Sequence, residues 1–121
     1  MKPEARLHLR YIAHARSGDK GNHANIGVIA YTEAGYRFLE RELTAERVGH
    51  FFRALGPEKV ERFALPNLLA FNFLLRNVLA GGASESLRTD SQGKALATAL
   101  LEMPLQAPVN LEAMLPIPIQ D

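Results

Sequence analysis

A polar stretch from His14 to Gly27 holds the residues with the greatest chemical potential in this sequence. It reads His-Ala-Arg-Ser-Gly-Asp-Lys-Gly-Asn-His-Ala-Asn-Ile-Gly, and apolar, strand-like runs lie before and after it. A β-hairpin needs a connection of only about two to five residues, whereas this stretch contains eight polar residues. Loops held by rigid strands often carry binding or catalytic residues. We therefore predict that the functional site lies in this polar loop.

The spacing of the loop residues excludes three common sites. A phosphate-binding P-loop is excluded because Gly18 and Gly21 are too close together and no Lys-Ser/Thr pair follows them. A dinucleotide fingerprint needs three spaced glycines between a strand and a helix, but these glycines lie between two predicted strands. A zinc-protease motif needs two histidines around a glutamate on a helix, and no glutamate lies between His14 and His23.

Two further chemistries are formally possible but fit poorly. A catalytic triad of Ser17, His14 and Asp19 would require three side chains within six residues to point at one place. A metal ion could be held by His14, Asp19 and His23, but the loop lacks the carboxylate density of a calcium site. We therefore predict neither a metal nor a cofactor.

The loop composition fits an anion-binding cradle better. Gly18 and Gly21 permit left-handed backbone conformations, and successive backbone N–H groups in such turns can bind an anion. Arg16 and Lys20 add positive charge, which Asp19 can orient. A ligand bearing a carboxylate, phosphate or thioester would suit such a site. The alternative is that the polar side chains only hydrogen-bond their own turn, namely Asp19, Asn22 and Asn25.

The remaining sequence predicts an alternation of strands and helices. Apolar periodicity predicts strands over residues 7–14, 26–31 and 60–65, and helices over residues 33–43 and 94–103. Thr44 is a candidate N-cap for another helix whose apolar stripe reaches Leu55. Asp90 is a candidate N-cap for the helix that ends before Pro104. The strand pair, the helices and the further strand indicate an α+β protein.

The segment 68–79 allows two interpretations. We favour a helix because twelve residues suit a helix better than a strand. In either conformation Asn72 and Arg76 lie side by side on an apolar element. An arginine in such surroundings needs a carboxylate, a ligand or carbonyl partners. We expect Asp19 or a bound anion to be that partner, and we add Asn72 and Arg76 to the candidate ligand-binding residues.

The C-terminal segment differs in composition from the rest of the chain. Four of the seven prolines lie in the last 18 residues, among apolar residues too numerous for a solvated linker. Because proline excludes a helix interior or a central strand, we predict a domain over residues 1–103 and an extended tail over residues 104–121. We expect the tail to lie over a groove of its own domain or of a partner subunit.

Composition and charge restrict the class of protein. The 121 residues suit one domain, and the hydrophobic content of 47% is that of an ordinary soluble protein. A net charge of +1 argues against nucleic-acid or membrane-surface partners. The absence of cysteine excludes disulfides and thiolate chemistry. No secretory signal and no apolar run of about 18 residues occurs, so we expect a cytoplasmic protein.

The sequence motifs resemble those of a known family, the C-terminal domain of the acyclic terpene utilisation protein AtuA. The resemblance begins with the stretch from His14 to Val28. It continues through Leu65-Pro-Asn-Leu-Leu-Ala-Phe-Asn-Phe-Leu-Leu, Gly81-Gly82 and Ser86-Leu-Arg-Thr-Asp-Ser-Gln-Gly-Lys-Ala-Leu96. It covers residues 7 to 103, and the first motif is long enough to be specific.

The resemblance implies a fold, a setting and a partner. The fold would be a ferredoxin-like two-layer α+β sandwich, with a mainly antiparallel sheet covered by helices. The setting would be bacterial breakdown of acyclic terpenes, branched acids or other acyl-CoA compounds. We expect a free-standing small subunit that acts with a separate, larger AtuA-like subunit. The resemblance carries over no catalytic residue, but it marks a site at Arg16, Ser17, Asp19, Lys20, Asn22 and Asn25.

Three functional hypotheses follow from the residues and the resemblance together. The first is a binding or accessory module that presents the polar stretch to a larger subunit, to an acyl-CoA-like anion, or to further copies of itself. The second is a small hydrolase or lyase acting on acyl-CoA-like substrates, with Asp19 or His14 as the base and Arg16 or Lys20 holding an anion. The third is a structural domain that only drives oligomerisation.

Overall fold

Two antiparallel sheets and three α-helices make up the part of the chain that the computed structural model describes, which is residues 6–78 and 94–116, with backbone alone at Lys20 and Lys94. The strands are β1 (Arg6–His8), β2 (Ala13–Lys20), β3 (His23–Ala30), β4 (Lys59–Leu65), β5 (Ala70–Arg76) and β6 (Pro104–Gln106). The helices are α1 (Glu33–Glu42), α2 (Ala45–Phe51) and α3 (Lys94–Leu100). Short 3-10 turns connect several of these elements.

The main sheet has the strand order β2-β3-β5-β4, and every neighbouring pair is antiparallel. The strands β3 and β4 are therefore parallel to each other, with β5 between them and with α1 and α2 in their connection. This split β-α-β arrangement is typical of ferredoxin-like folds. The structure confirms the predicted ferredoxin-like α+β sandwich. A small second sheet pairs β1 with β6.

The hydrophobic core lies between one face of the main sheet and the helices. Alternate residues of β3 and β5 are buried there, among them Ile26, Phe71 and Phe73. The ring of Phe71 stacks on that of Tyr36 in α1, with 4.7 Å between ring centroids. Because side chains alternate across a strand, the intervening residues of β3 and β5 point to the opposite face of the sheet.

Side-chain hydrogen bonds fix the helix ends against the sheet. Thr44 accepts a hydrogen bond from the backbone N–H of Arg47, which confirms the predicted N-cap of α2. At the C-terminal end of α1, the Arg62 guanidinium on β4 donates to the carbonyl oxygens of Glu40 and Leu43, at 3.0 and 2.9 Å. A cation at a helix C-terminus also interacts favourably with the helix dipole.

The prediction of a long polar loop was wrong. The strands β2 and β3 extend through it, and their connection is the two-residue turn Gly21-Asn22. Gly21 has a φ of 61°, which is the left-handed conformation that such a turn requires. Gly18 lies within β2 instead of providing a second left-handed residue. The stretch forms strands because small apolar residues such as Ala13, Ala15 and Ala24 alternate with polar ones, and an alternation with period two is typical of a strand.

The preferred helix over residues 68–79 was also wrong, since β5 occupies Ala70–Arg76. Its flanking residues Leu69 and Asn77 adopt left-handed backbone angles, with φ of 54° and 58°, and these turns limit the strand. Burial of Phe71, Phe73 and Leu75 on one side outweighed the helical pattern. The helix predicted over 94–103 ends earlier, at Leu100.

The proline-rich segment returns to its own domain over the residues that the structure describes. Pro104–Gln106 forms β6, with Leu105 opposite Leu7 in the pairing with β1. Residues Leu111–Met114 form a 3-10 turn, and Met114 is buried in the core. The predicted cap Asp90 lies outside the described residues, as do residues 117–121 of the tail.

Candidate functional site

The predicted site residues lie on strands, so their positions follow from the sheet register. We call the side of the main sheet opposite the helices the open sheet face. It is defined by alternate residues of the four strands: His14, Arg16, Gly18, His23, Asn25, Gly27, Ile29, Lys59, Glu61, Phe63, Leu65, Ala70, Asn72, Leu74 and Arg76. Directly paired residues share a face of a sheet, so the register gives the neighbours across this surface.

Four predicted residues come together on the open sheet face. Arg16 is opposite Gly27, and Gly27 is opposite Asn72, so these residues form one row across three strands. The side-chain amide of Asn25 donates to the amide oxygen of Asn72 at 3.4 Å. Arg76 lies two positions further along β5 from Leu74, which is opposite Asn25. The polar centre of the face therefore consists of Arg16, Asn25, Asn72 and Arg76.

Other predicted residues lie elsewhere. The Ser17 hydroxyl accepts a hydrogen bond from the backbone N–H of Ala97 at 3.2 Å, so it joins β2 to helix α3 on the core side. Asp19 is exposed and alternates with Gly18, which places it on the same side of β2 as Ser17. Asn22 lies in the hairpin turn at the end of the sheet. For Lys20 the structure describes only the backbone.

The two candidate bases lie on opposite sides of β2. The ring of His14 lies on the open side, against the exposed Tyr31 with 5.7 Å between centroids, whereas Asp19 lies on the other side. A strand separates their side chains, so they do not form one catalytic pair. In the described part of the chain, no three histidine, aspartate or glutamate side chains cluster as metal ligands do.

The partner of Arg76 is a residue that the sequence did not reveal. Its Nε lies 2.9 Å from Oε1 of Glu61 on the adjacent strand β4, and Asp19 was not the partner. The hydrogen bond from Arg76 is the main cause that lowers the pKa of the Glu61 carboxyl. Lys59 contributes as well, with its Nζ at 3.6 Å from the other carboxylate oxygen. Only the β4–β5 pairing brings these residues together.

Gly27 carries no side chain, and we call the space that this leaves among its neighbours on the open sheet face the depression. A Cβ atom added there would meet nothing nearer than the carbonyl oxygen of Arg16, at 4.0 Å. No described residue therefore fills the space above this glycine. Arg16 is exposed and makes no hydrogen bond or ion pair with the residues that the structure describes. Its charge is available beside the depression.

One end of the face is apolar and exposed. Phe63 and Leu65 on β4 are 49% and 41% exposed, and Leu68 in the following turn is 65% exposed. Ile29 lies half-buried on the same face. The residues were visible in the sequence, but their exposure was not, because an alternating strand does not reveal which of its faces the helices cover.

The open sheet face therefore combines chemistry of two kinds. Its centre offers amides, a guanidinium and a salt bridge, and its end offers large apolar side chains. Apolar contacts next to polar groups with defined directions are typical of surfaces that recognise another protein. No arrangement of a nucleophile beside a general base occurs among its described side chains. The site resembles a binding surface more than a catalytic centre.

The fold and the comparison with known families identify the class of protein. The four-stranded antiparallel sheet with helices on one side defines a ferredoxin-like α+β domain. The chain belongs to the AtuA ferredoxin-like domain family, whose model matches residues 7–106. The comparisons with curated proteins and with solved structures find no significant match. Within the described residues, no helix has the length and apolarity to span a membrane.

Proposed function

We propose that this chain is an accessory binding subunit that docks its open sheet face onto a larger AtuA-like subunit. The pair would act in bacterial breakdown of acyclic terpenes, branched acids or other acyl-CoA compounds. The observation that carries the docking is the open sheet face itself, with exposed apolar side chains beside half-buried polar ones. The metabolic setting rests on the family to which the chain belongs.

The apolar end supplies the attraction. A solvated sheet face normally carries polar side chains, but here Phe63, Leu65 and Leu68 are left exposed. Adjacent exposed apolar residues of this size mark interaction sites more often than isolated ones do. Removing their side chains from water would contribute about 25 cal/mol per Å² of apolar area. A hydrophobic contact with the partner would therefore centre on β4 and its following turn.

The polar centre supplies the specificity. The Asn25–Asn72 contact and the Arg76–Glu61 salt bridge hold their side chains in defined directions before any partner arrives. Preorganised groups lose less conformational entropy on binding. Arg16 has no described partner on its own chain, so a carboxylate of the larger subunit would complement it.

The partner that best fits this face is a large protein surface. The face spans four strands about 4.8 Å apart and about seven residues along each strand, which gives roughly 20 by 20 Å. This flat area of about 400 Å² is about half of the 800 Å² of accessible surface that each partner buries in a standard protein interface. A small ligand alone would leave much of it uncovered.

The test is association with a co-expressed large AtuA-like protein, measured by copurification and size-exclusion chromatography with light scattering. We expect a stable complex with the wild-type chain, and its loss when Phe63→Ser and Leu65→Ser are combined. Val109→Ser is the matched control because Val109 is a fully exposed apolar residue outside the open sheet face. This variant should associate normally.

Two results would change the proposal. A monomeric wild-type chain that captures no large subunit would refute docking through this face. A complex of identical chains that the same double substitution disrupts would instead assign the face to a second copy. Far-ultraviolet circular dichroism of each variant separates loss of association from loss of folding. Deletion of the gene tests the metabolic setting. We expect the deletion strain to lose growth on acyclic terpenes or branched acids.

A further inference from the structure

A second surface feature lies in the helical layer, away from the open sheet face. A cleft of about 530 Å³ runs between α2 with its following turn and the segment where α3 is succeeded by β6. Small-molecule sites are concave and have volumes of about 300–1,000 Å³. The size of this cleft falls within that range.

The floor of the cleft is apolar. It is formed by Phe51 of α2, Met103 and Pro104. Phe51 is half-buried and its ring meets that of Phe52 edge-on, with 5.0 Å between centroids. Met103 is held by the hydrogen bond from the backbone N–H of Leu9 to its carbonyl oxygen, at 3.0 Å. The floor is therefore a fixed apolar surface between two parts of the fold.

The rim of the cleft is basic. Arg47, His50 and Arg53 line it, and Glu46 is the acidic residue among its lining side chains. A second carboxylate, that of Glu42, pairs with Arg47, whereas Arg53 forms no salt bridge with the described residues. The unbalanced charge of Arg53 in the rim favours an anionic occupant. A guanidinium forms paired hydrogen bonds with carboxylate or phosphate oxygens. The charge of the rim and the apolarity of the floor together favour an amphipathic anion as the ligand.

The two arginines are already oriented. Nη1 of Arg53 donates to the carbonyl oxygen of His50 at 2.9 Å, and within the described residues Arg53 has no carboxylate partner. Nη1 of Arg47 contacts both the carbonyl oxygen and a carboxylate oxygen of Glu42, each at 3.3 Å. Each guanidinium is held through Nη1, which leaves its other nitrogen atoms to meet a ligand. Such preorganisation reduces the entropic cost of binding.

We propose that this cleft binds a small organic anion, with its carboxylate or phosphate group at Arg47 and Arg53 and its apolar body on Phe51 and Met103. The inference goes beyond the docking function because the cleft and the open sheet face are on opposite sides of the sheet. A ligand in the cleft and a partner on the sheet can bind independently.

The test is a titration of the ¹⁵N-labelled chain, followed by heteronuclear NMR, with three separate probes: octanoate, octyl phosphate and inorganic phosphate. We expect saturable shifts at residues 46–53 and 103–104 with at least one of the two amphipathic probes. Which of them binds more tightly distinguishes a carboxylate site from a phosphate site. Inorganic phosphate should bind at least about tenfold more weakly, because it lacks the apolar body.

Arginine substitutions provide the decisive comparison. Arg53→Gln should weaken binding of the better probe about tenfold, and Arg47→Gln combined with it should weaken binding further. Arg41→Gln is the matched control because Arg41 also donates to a backbone carbonyl, that of Arg37, but lies on α1 outside the cleft lining. Its affinity should remain that of the wild type.

Two outcomes would overturn the proposal. One is the absence of saturable shifts with both octanoate and octyl phosphate, and the other is equal affinity in the wild type and the double arginine variant. Copurification of the Arg53→Gln chain with the large subunit should remain normal. Loss of that association would contradict the independence of the cleft, whereas failure of docking in the wild type would leave the titration interpretable.

Discussion

Substitutions at Gly27 offer the sharpest test of the open sheet face. They should maintain or raise the stability of the isolated chain, and a large side chain there should weaken its association with the large subunit. The space above Gly27 accepts a Cβ atom without a contact closer than 4.0 Å. Glycine within a strand costs roughly 0.5–1 kcal/mol relative to alanine. Gly27→Ala should therefore stabilise the isolated chain by about that amount. We expect a rise in melting temperature of about 2–4 °C for a domain of this size.

A larger residue at the same position should oppose assembly. Gly27→Thr keeps a strand-compatible side chain but places additional atoms in the depression beside Arg16 and Asn72. Filling a packed interface with extra atoms typically costs about 1–3 kcal/mol. Association with the large subunit should therefore weaken by about 5- to 150-fold, while the melting temperature stays at or above that of the wild type.

The assays are differential scanning calorimetry of the isolated chain and isothermal titration calorimetry with the large subunit. Ala99→Thr is the control because Ala99 is exposed on α3, in the helical layer. It should leave association unchanged. A fall of several degrees for Gly27→Thr would show that the depression is occupied in the isolated chain. Unchanged association would show that Gly27 lies outside the interface.

Three further predictions concern contacts that hold the domain together. Arg62→Gln should lower the free energy of unfolding, measured by urea denaturation, by about 2 kcal/mol. The substitution removes two contacts with carbonyl oxygens at the end of α1 and a cation–π contact with Phe71. A loss below about 0.5 kcal/mol would contradict that role. Ser17→Ala should cost about 1 kcal/mol, since the N–H of Ala97 loses its acceptor, yet association with the large subunit should persist. The pKa of Glu61 is lowered in the folded state, so its contribution to stability is present above the carboxyl pKa of the unfolded chain and is lost as the pH falls through the folded value. Arg76→Met should reduce this acid sensitivity, and an unchanged pH dependence of the urea midpoint would argue against it.

Local signals were strong enough to predict several elements from the sequence. The apolar stripe of α1 and the Thr44 cap of α2 each involve residues within a few positions of one another. The local sequence is therefore sufficient to predict them. The strand over 60–65 was also recognisable, and the structure begins it one residue earlier, at Lys59. The family motif indicates the ferredoxin-like fold, which the strand order confirms.

Both errors concern segments that form strands. The polar residues after His14 predict a loop, because such residues are common in loops, although their alternation with alanines is typical of a strand with one solvated face. The segment around Phe71 was ambiguous because a short apolar run fits either conformation, and pairing with β3 and β4 decided it. Strand pairing depends on distant residues, which a local pattern does not contain.

The sequence by itself determined the family and the α+β class, and it predicted a site in the stretch that begins at His14. Only the tertiary structure decided how that stretch is divided, with Arg16 and Asn25 on the open sheet face and Ser17 against α3. It also decided that Glu61 pairs with Arg76 and that Phe63 is left exposed. The physical reason is that side chains alternate along each strand, whereas the neighbours of a strand and the face covered by helices are set by contacts far apart in the chain.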